Sequence, residues 1–538
     1  MSDSSYPPAA PDGVIDDPRQ RRAILWAVCI ALMAVVASVS GLNVAQPHLA
    51  ETFDATQGEV LWIINTYTLT LAALLLPLGA AGDRWGRKPV LLVGLAVFGL
   101  ANVAGALAPN AEIMLVARFL SGVGAAMIMP VTLSVITSSF PEDERSKAIG
   151  MWTAVAGGGG ILGMYLSAVL VDMTSWRWLF ALPIVLTVAS LAIGLRSVPN
   201  SRMHAVGRFD VLGALFSIVA AVGFTYALHE APSDGWSDPL IVATLALAVA
   251  SAAGFVLWEL RQENPLLDVR HFRTRGLSSG STLLLVLFGV QGGVALVLYP
   301  YFQVVIGWSG VLSTLGMMPM ALLMMVASGL APRVAAVVGA RAAMVIGLTI
   351  ATVGLALLAG LVSTDGGYLG VLPGLIAMGL GAGLAMTPST EAITSSLPRD
   401  QQGVASALND LTRELGSALG IAMLGGLLTA GYQSAIGDRL AGVPADIADV
   451  AREGVANADA VSRTAGDYAG QVSGAANESF IIGWQQSMWV GVAVMATLAL
   501  VVALRGPRTA QRDPHVDDSP TNPDDQAVDY SDTEPSHG

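Results

Sequence analysis

Asp410 and Glu414 lie four residues apart, with Arg413 between them, inside an otherwise apolar run at 403–430. On a helix that spacing puts both carboxylates on one face, and Arg413 is three from Asp410. Two acids roughly 6 Å apart at low dielectric cannot both stay ionised cheaply, so the pair can carry one proton. The competing reading is a self-neutralised Asp410–Arg413 pair that only steadies the helix. Arg118 sits in a second apolar run at 112–137. A guanidinium in hydrocarbon is costly unless it faces a partner or water, which makes it a functional candidate; near the end of a run it can also snorkel. The third concentration of charge is Gly79-Ala-Ala-Gly82-Asp83-Arg84-Trp85-Gly86-Arg87-Lys88, between apolar runs at 59–81 and 89–108. Gly79 and Gly86 frame a tight turn, and Arg84, Arg87 and Lys88 suit a loop on the cytoplasmic face of a membrane. Asp83 is the residue that an ordinary cationic loop does not need.

The chain positions these groups on membrane helices. Of its 538 residues 54% are hydrophobic and 12% charged, with a mean hydropathy of +0.62, whereas soluble domains are about a quarter charged. A crossing helix takes about 20 apolar residues. Fourteen runs qualify, from 24–46 to 484–504. Arg-bearing loops (82–88, 141–147, 196–208, 261–275, 333–341, 399 and the C-terminal Arg505, Arg508 and Arg512) alternate with loops nearly free of cations, such as 47–58 and 363–367. Both termini are therefore expected in the cytoplasm. The formal charge of -13 gathers in the tails and one late loop, and no basic patch offers a nucleic-acid surface. Cys29 alone excludes an intrachain disulfide. The first run, about 23 residues long, exceeds a signal-peptide core and is expected to be retained. No phosphate-binding loop, metal-ligand cluster or nucleophile triad is found, so an enzyme or a nucleotide-driven pump is not expected, nor a cofactor.

Gly86-Arg87-Lys88 with Gly94 recurs as Gly339-Ala340-Arg341 with Gly347, an internal echo that predicts two related halves. The turn at 79–88 resembles the loop between spans 2 and 3 of the major facilitator superfamily, and Arg118-Phe-Leu-Ser-Gly122-Val-Gly124 resembles its R-x-x-x-G-x-G element. Gly403-Val-Ala-Ser406-Ala-Leu-Asn409 resembles the G-V-A-S-A-x-N of the fourteen-span drug:proton antiporter branch. That resemblance implies an all-α membrane protein of two six-helix bundles with two extra central spans. The divisions expected are an N-tail 1–22, a bundle 23–200, the inserted spans with their loops 201–276, a second bundle 277–505 carrying an external loop 431–483, and an acidic tail 506–538. The implied activity is proton-coupled export of amphipathic small molecules by a monomer in a bacterial cytoplasmic membrane, driven by the proton gradient. Asp410, Glu414 and Arg118 are the expected coupling residues, and Gly79 to Lys88 the gate, with Asp83 reaching a helix N-terminus near Gly403.

Departures from the branch pattern leave other outcomes open. Ser38 and Asn65 stand where relatives carry acids, and Gly163-Met164-Tyr165-Leu166-Ser167-Ala168 replaces a proline-bearing motif, so two anionic contacts and a bend are missing. A dedicated exporter of one self-made, weakly charged metabolite and a transport-inactive receptor or scaffold are the alternatives. Expected substrate contacts are Trp62, Asn65, Tyr67, Tyr165, Gln291, Tyr301 and Gln303, with the methionines Met317, Met318, Met320, Met324 and Met325 as adaptable or merely packed neighbours.

Overall fold

A computed structural model describes residues 14–199 and 209–507. The expected tails fall largely outside those residues, as do residue 200 and 201–208, the start of the expected insert. Among the described residues, fourteen helices are long and apolar enough to cross a membrane. They are α1 (Pro18–Val44), α2 (Gln57–Trp85), α3 (Arg87–Ala106), α4 (Ala111–Ser139), α5 (Glu142–Met173), α6 (Ala181–Ser197), α7 (Val211–Asp234) and α8 (Pro239–Glu259). Then follow α9 (Arg275–Pro300), α10 (Gly310–Val338), α11 (Ala340–Leu361), α12 (Gly367–Ser395), α13 (Gln402–Arg439) and α14 (Ala469–Arg505).

Polar residues start several of these helices at or just before the apolar runs. Asp17 caps α1, Thr56 and Glu59 form a capping box on α2, Asn110 caps α4, and Asp210 and Asp238 cap the two extra spans. Each satisfies backbone N–H groups that hydrocarbon would leave unpaired. The sequence echo is a repeated turn: Gly86 at φ 106° and Gly339 at φ 86° each end one span and begin the next. That backbone conformation is open to glycine and strained for other residues.

Helices α1 to α6 close around Leu32, Leu71, Leu91, Phe98 and Ile128, and α9 to α14 around Leu284, Leu348, Phe302 and Trp484. Association in lipid relies on close packing of small residues. An added Cβ at Gly124 would lie 2.7 Å from the Phe98 backbone, and one at Gly420 would fall 1.7 Å from the Gly289 carbonyl. The halves meet where α13 packs on α2 and α4, and where α10 and α12 pack on α5. Helix α5 continues through Gly157 to Gly160 without a break. Methionines fill the space these glycines leave: Met324 and Met386 against Gly157, Met325 against Gly158, and Met33 against Gly159.

Two boundaries differ from the hydropathy reading. Helix α1 begins at Pro18, inside the expected tail, because Asp17 and Pro18 favour a helix start before the first apolar residue; Arg21 then ties it to Glu144 at 3.0 Å. Helices α13 and α14 also run on through much of 431–483, since Ala- and Gln-rich sequence keeps helical preference after it loses hydrophobicity. Short helices Ala445–Glu453 and Val455–Ser462 join them, and the Tyr432 hydroxyl donates to the Ala451 carbonyl at 2.7 Å.

Gly420→Val should lower the stability of the detergent-purified protein by about 1–3 kcal/mol or prevent its insertion, as overpacking does. Gly426→Val, at a position with nothing near an added Cβ, should be almost silent. Matched thermal unfolding curves of the two variants check this.

Candidate functional site

The arginine-bearing ends of the helices are drawn together and the opposite ends enclose a cavity. At the arginine-rich face Asp83, only 7% exposed, accepts on Oδ2 from the backbone N–H of Gly403 at 2.7 Å and of Val404 at 3.2 Å. These are the first turn of α13, where free N–H groups and the helix dipole favour an anion. The other oxygen holds Arg87 at 3.0 Å, and Arg87 donates onward to the Arg399 carbonyl at 3.2 Å. Gly79 lets the helices touch, because a Cβ there would lie 2.6 Å from the Gly403 carbonyl and 2.7 Å from Ala407. Gly86 makes the turn that aims Arg87 back at Asp83, Arg84 is half-buried, and Lys88 donates to the Leu195 carbonyl at 2.9 Å within its own half. Two further links join the halves here: Ser146 to Glu391 at 2.5 Å and Arg399 to Glu142 at 3.9 Å. Glu391 and Glu142 escaped the sequence reading: Glu391 is a lone acid near the end of α12, and Glu142 is one of three acids, with Asp143 and Glu144, in the first turn of α5.

The acid pair of α13 is split by depth. Asp410 is fully buried; its Oδ1 lies 3.5 Å from Arg413 Nη1 and accepts from Asn409 at 3.1 Å, while Oδ2 has no partner. Arg413 reaches across the interface to donate to the Ala156 carbonyl of α5 at 3.1 Å and lies over the Phe288 ring at 4.4 Å. Glu414, one turn further from the seal, opens into the cavity and makes no hydrogen bond or ion pair among the described residues. Arg118 is 1% exposed, which excludes snorkelling. Its Nε donates to the Ile63 carbonyl at 3.3 Å and its Nη1 to Ser38 Oγ at 3.3 Å, and the Tyr67 ring lies 4.3 Å beneath its guanidinium carbon. Ser38, standing where an acid was expected, thus solvates the cation without neutralising it, and donates in turn to Asn102 at 3.4 Å.

The cavity, of about 910 Å³, lies between the two halves on the side away from the arginine-rich face. Asn65, Gln303 and Glu414 of the expected residues line it, as does Met317. The other expected contacts are used elsewhere. Tyr67 is buried under Arg118 with its hydroxyl on the Val35 carbonyl, and Tyr301 is buried with its hydroxyl on the Ser363 carbonyl at 3.0 Å, holding the turn before α12. Gln291 donates to Met324 Sδ at 3.1 Å. Trp62 faces outward against Tyr226 of α7, ring centroids 5.9 Å apart, and Tyr165 is half-buried outside the cavity wall. Polar groups that the sequence reading did not propose as contacts also line the wall: Gln46, Thr68, Tyr299, Ser417, and Thr225 and His229 of the first extra span. The last two, four apart on an otherwise apolar helix, carried a usable signal.

The Major Facilitator Superfamily profile matches residues 28–421. The chain belongs to the major facilitator superfamily. It is a membrane transporter and no enzyme, and its fourteen spans fit the fourteen-span drug:proton antiporter branch. It is similar to the multidrug resistance protein Stp of Mycobacterium tuberculosis, 30% identical over 77% of this chain and 76% of the relative. It is also similar to the methyl viologen resistance protein SmvA of Salmonella typhimurium, 32% identical over 90% of this chain and 98% of the relative. Among solved structures, the human organic anion transporter MFSD10 shares the fold, with a TM-score of 0.59 at 14% identity over 90% of this chain and all of that one.

In a Cys29→Ser background, Ser406→Cys places a thiol just inside the seal. Adding Asp83→Asn removes charge-assisted hydrogen bonds worth about 1.5–3 kcal/mol each and should speed thiol labelling from the arginine-rich face by about tenfold or more. Labelling rates in membrane vesicles check this.

Proposed function

We propose that this transporter exports amphipathic small molecules from the cytoplasm in exchange for protons, by alternating access, with both termini cytoplasmic. The observation that carries the reading is the pairing of one closed end with one open one: Asp83 locks the arginine-rich face onto α13 while Glu414 of the same helix stands bare in the cavity. In this arrangement substrate has already been taken from the cytoplasm and leaves outward. The cavity suits such substrates, with Ile64, Ala72, Met164 and Met317 for apolar surface and Asn65, Gln303 and Glu414 for a few directed polar contacts. The resistance named for the Mycobacterium and Salmonella relatives agrees with export of foreign compounds.

Coupling follows from the split pair. A proton entering from outside meets Glu414 first, and Asp410, one turn deeper, is balanced by an Arg413 that itself grips the opposite half at Ala156. Protonation of Asp410 releases its hold on Arg413, and the contact across the interface loosens with it. Charge state and the closure of the halves are thereby linked through one guanidinium.

A second reading, a dedicated exporter of one weakly charged metabolite, is favoured by Arg118, which no carboxylate pairs among the described residues, and by Asn65 in the cavity wall. Uptake of tetraphenylphosphonium into inverted vesicles, with and without an imposed pH gradient, separates the two. For multidrug antiport the wild type should respond to the gradient, and the Asp410→Asn, Glu414→Gln double variant should lose at least about 90% of that response while staying folded, since removing paired intramembrane carboxylates removes the proton's sites. A gradient response retained in the double variant would contradict the coupling assignment.

A further inference from the structure

The first of the two extra spans, α7, packs on both halves. Its Tyr226 packs on Trp62 of α2, and its Leu228 is buried against Ala418 and Ala422 of α13. The face between these contacts carries Thr225 and His229 into the cavity. Among the described residues His229 makes no hydrogen bond, ion pair or ring contact, and of those lining the cavity it is the one basic side chain, as Glu414 is the one carboxylate. Helices α7 and α13 run in the same direction, so the packing of Leu228 between Ala418 and Ala422 fixes their register. At 1.5 Å per residue, His229 stands about 10 Å further toward the open face than Glu414.

We propose that the first extra span is the exit-side wall of the transport site, and that its His229 sets charge selectivity. One cationic group is accepted at Glu414, and a second, about one substrate length further out, meets an imidazole where an acid would be needed. Desolvated charges require a partner, and an imidazole is neutral or cationic but never anionic. Elongated amphiphiles with a single cationic end fit this cavity; dications with separated charges do not. Thr225, at the level of Ser417, offers a hydroxyl midway for a neutral polar group.

The inference rests on the cavity being the transport site, and the test separates the two. Uptake of tetraphenylphosphonium, a monocation, and methyl viologen, a dication, is measured in inverted vesicles for the wild type and His229→Glu. The variant should raise the methyl viologen to tetraphenylphosphonium ratio by about tenfold, as a new ion pair in a low-dielectric site does. An unchanged ratio in a chain that still transports overturns the proposal alone; a wild type that moves neither probe removes the export reading and the proposal with it. Should His229→Glu fail to insert, His229→Cys in the Cys29→Ser background decides. The introduced thiol should react from outside faster with a trimethylammonium methanethiosulfonate than with a sulfonate one, and Glu414→Gln should erase that preference. An unreactive thiol, or one indifferent to reagent charge, overturns it.

Discussion

One carboxylate organises the closed face of this transporter. Asp83 sits at the end of α2 in the N-terminal half and accepts from the first turn of α13 in the other, so the two bundles are joined by an anion in a helix N-terminus rather than by apolar contact alone. The geometry around it is built by glycine. Gly79 allows the approach, Gly86 turns the chain so that Arg87 can hold the second carboxylate oxygen, and Gly403 supplies a backbone N–H with no side chain in the way. A seal of this kind is strong when dry and has little to hold it once the helices part, which suits the alternating access proposed above.

Among the described residues, the buried arginines Arg118 and Arg413 each find oxygen and a ring, while Glu414 makes no hydrogen bond or ion pair. Arg118 is held by Ile63, Ser38 and Tyr67, and Arg413 by Asp410, Ala156 and Phe288. Glu414 is the exception, and it faces the cavity. The seam of glycines on α5 and methionines on α10 and α12 complements this polar arrangement. Flexible thioethers fill against a smooth backbone and can re-pack as the halves move, without a proline bend in α5.

Much of this was legible in the sequence. Runs of apolar residues gave the fourteen spans, because hydrocarbon thickness acts on every residue alike, and alternating arginine predicts their sidedness. Asp83 was legible for a similar reason: an acid amid cations at a glycine turn has few uses other than a helix N-terminus. Side-chain direction was not. Tyr67 and Tyr301 have the composition of binding residues but spend their hydroxyls on backbone carbonyls within their own halves, and Asp410 and Glu414 share a helix face yet fall on opposite sides of the cavity floor. Helical spacing fixes an angle about the axis and says nothing of where a cavity ends. His229 was passed over because the extra spans lie outside the twelve-helix repeat, and only packing shows one of them in the wall.

The central claim is that the Asp83 lock holds the cytoplasmic face closed. Spin-label distances test it most directly, with Lys147→Cys and Val337→Cys on the cytoplasmic ends of α5 and α10, and Met173→Cys and Leu312→Cys on their outer ends, in a Cys29→Ser background. With Asp83 intact the cytoplasmic pair should give one short distance and the outer pair a longer one, and Asp83→Asn should move part of the population to the reverse arrangement. A cytoplasmic pair that is already far apart with Asp83 intact, or that does not respond to its replacement, would contradict the account.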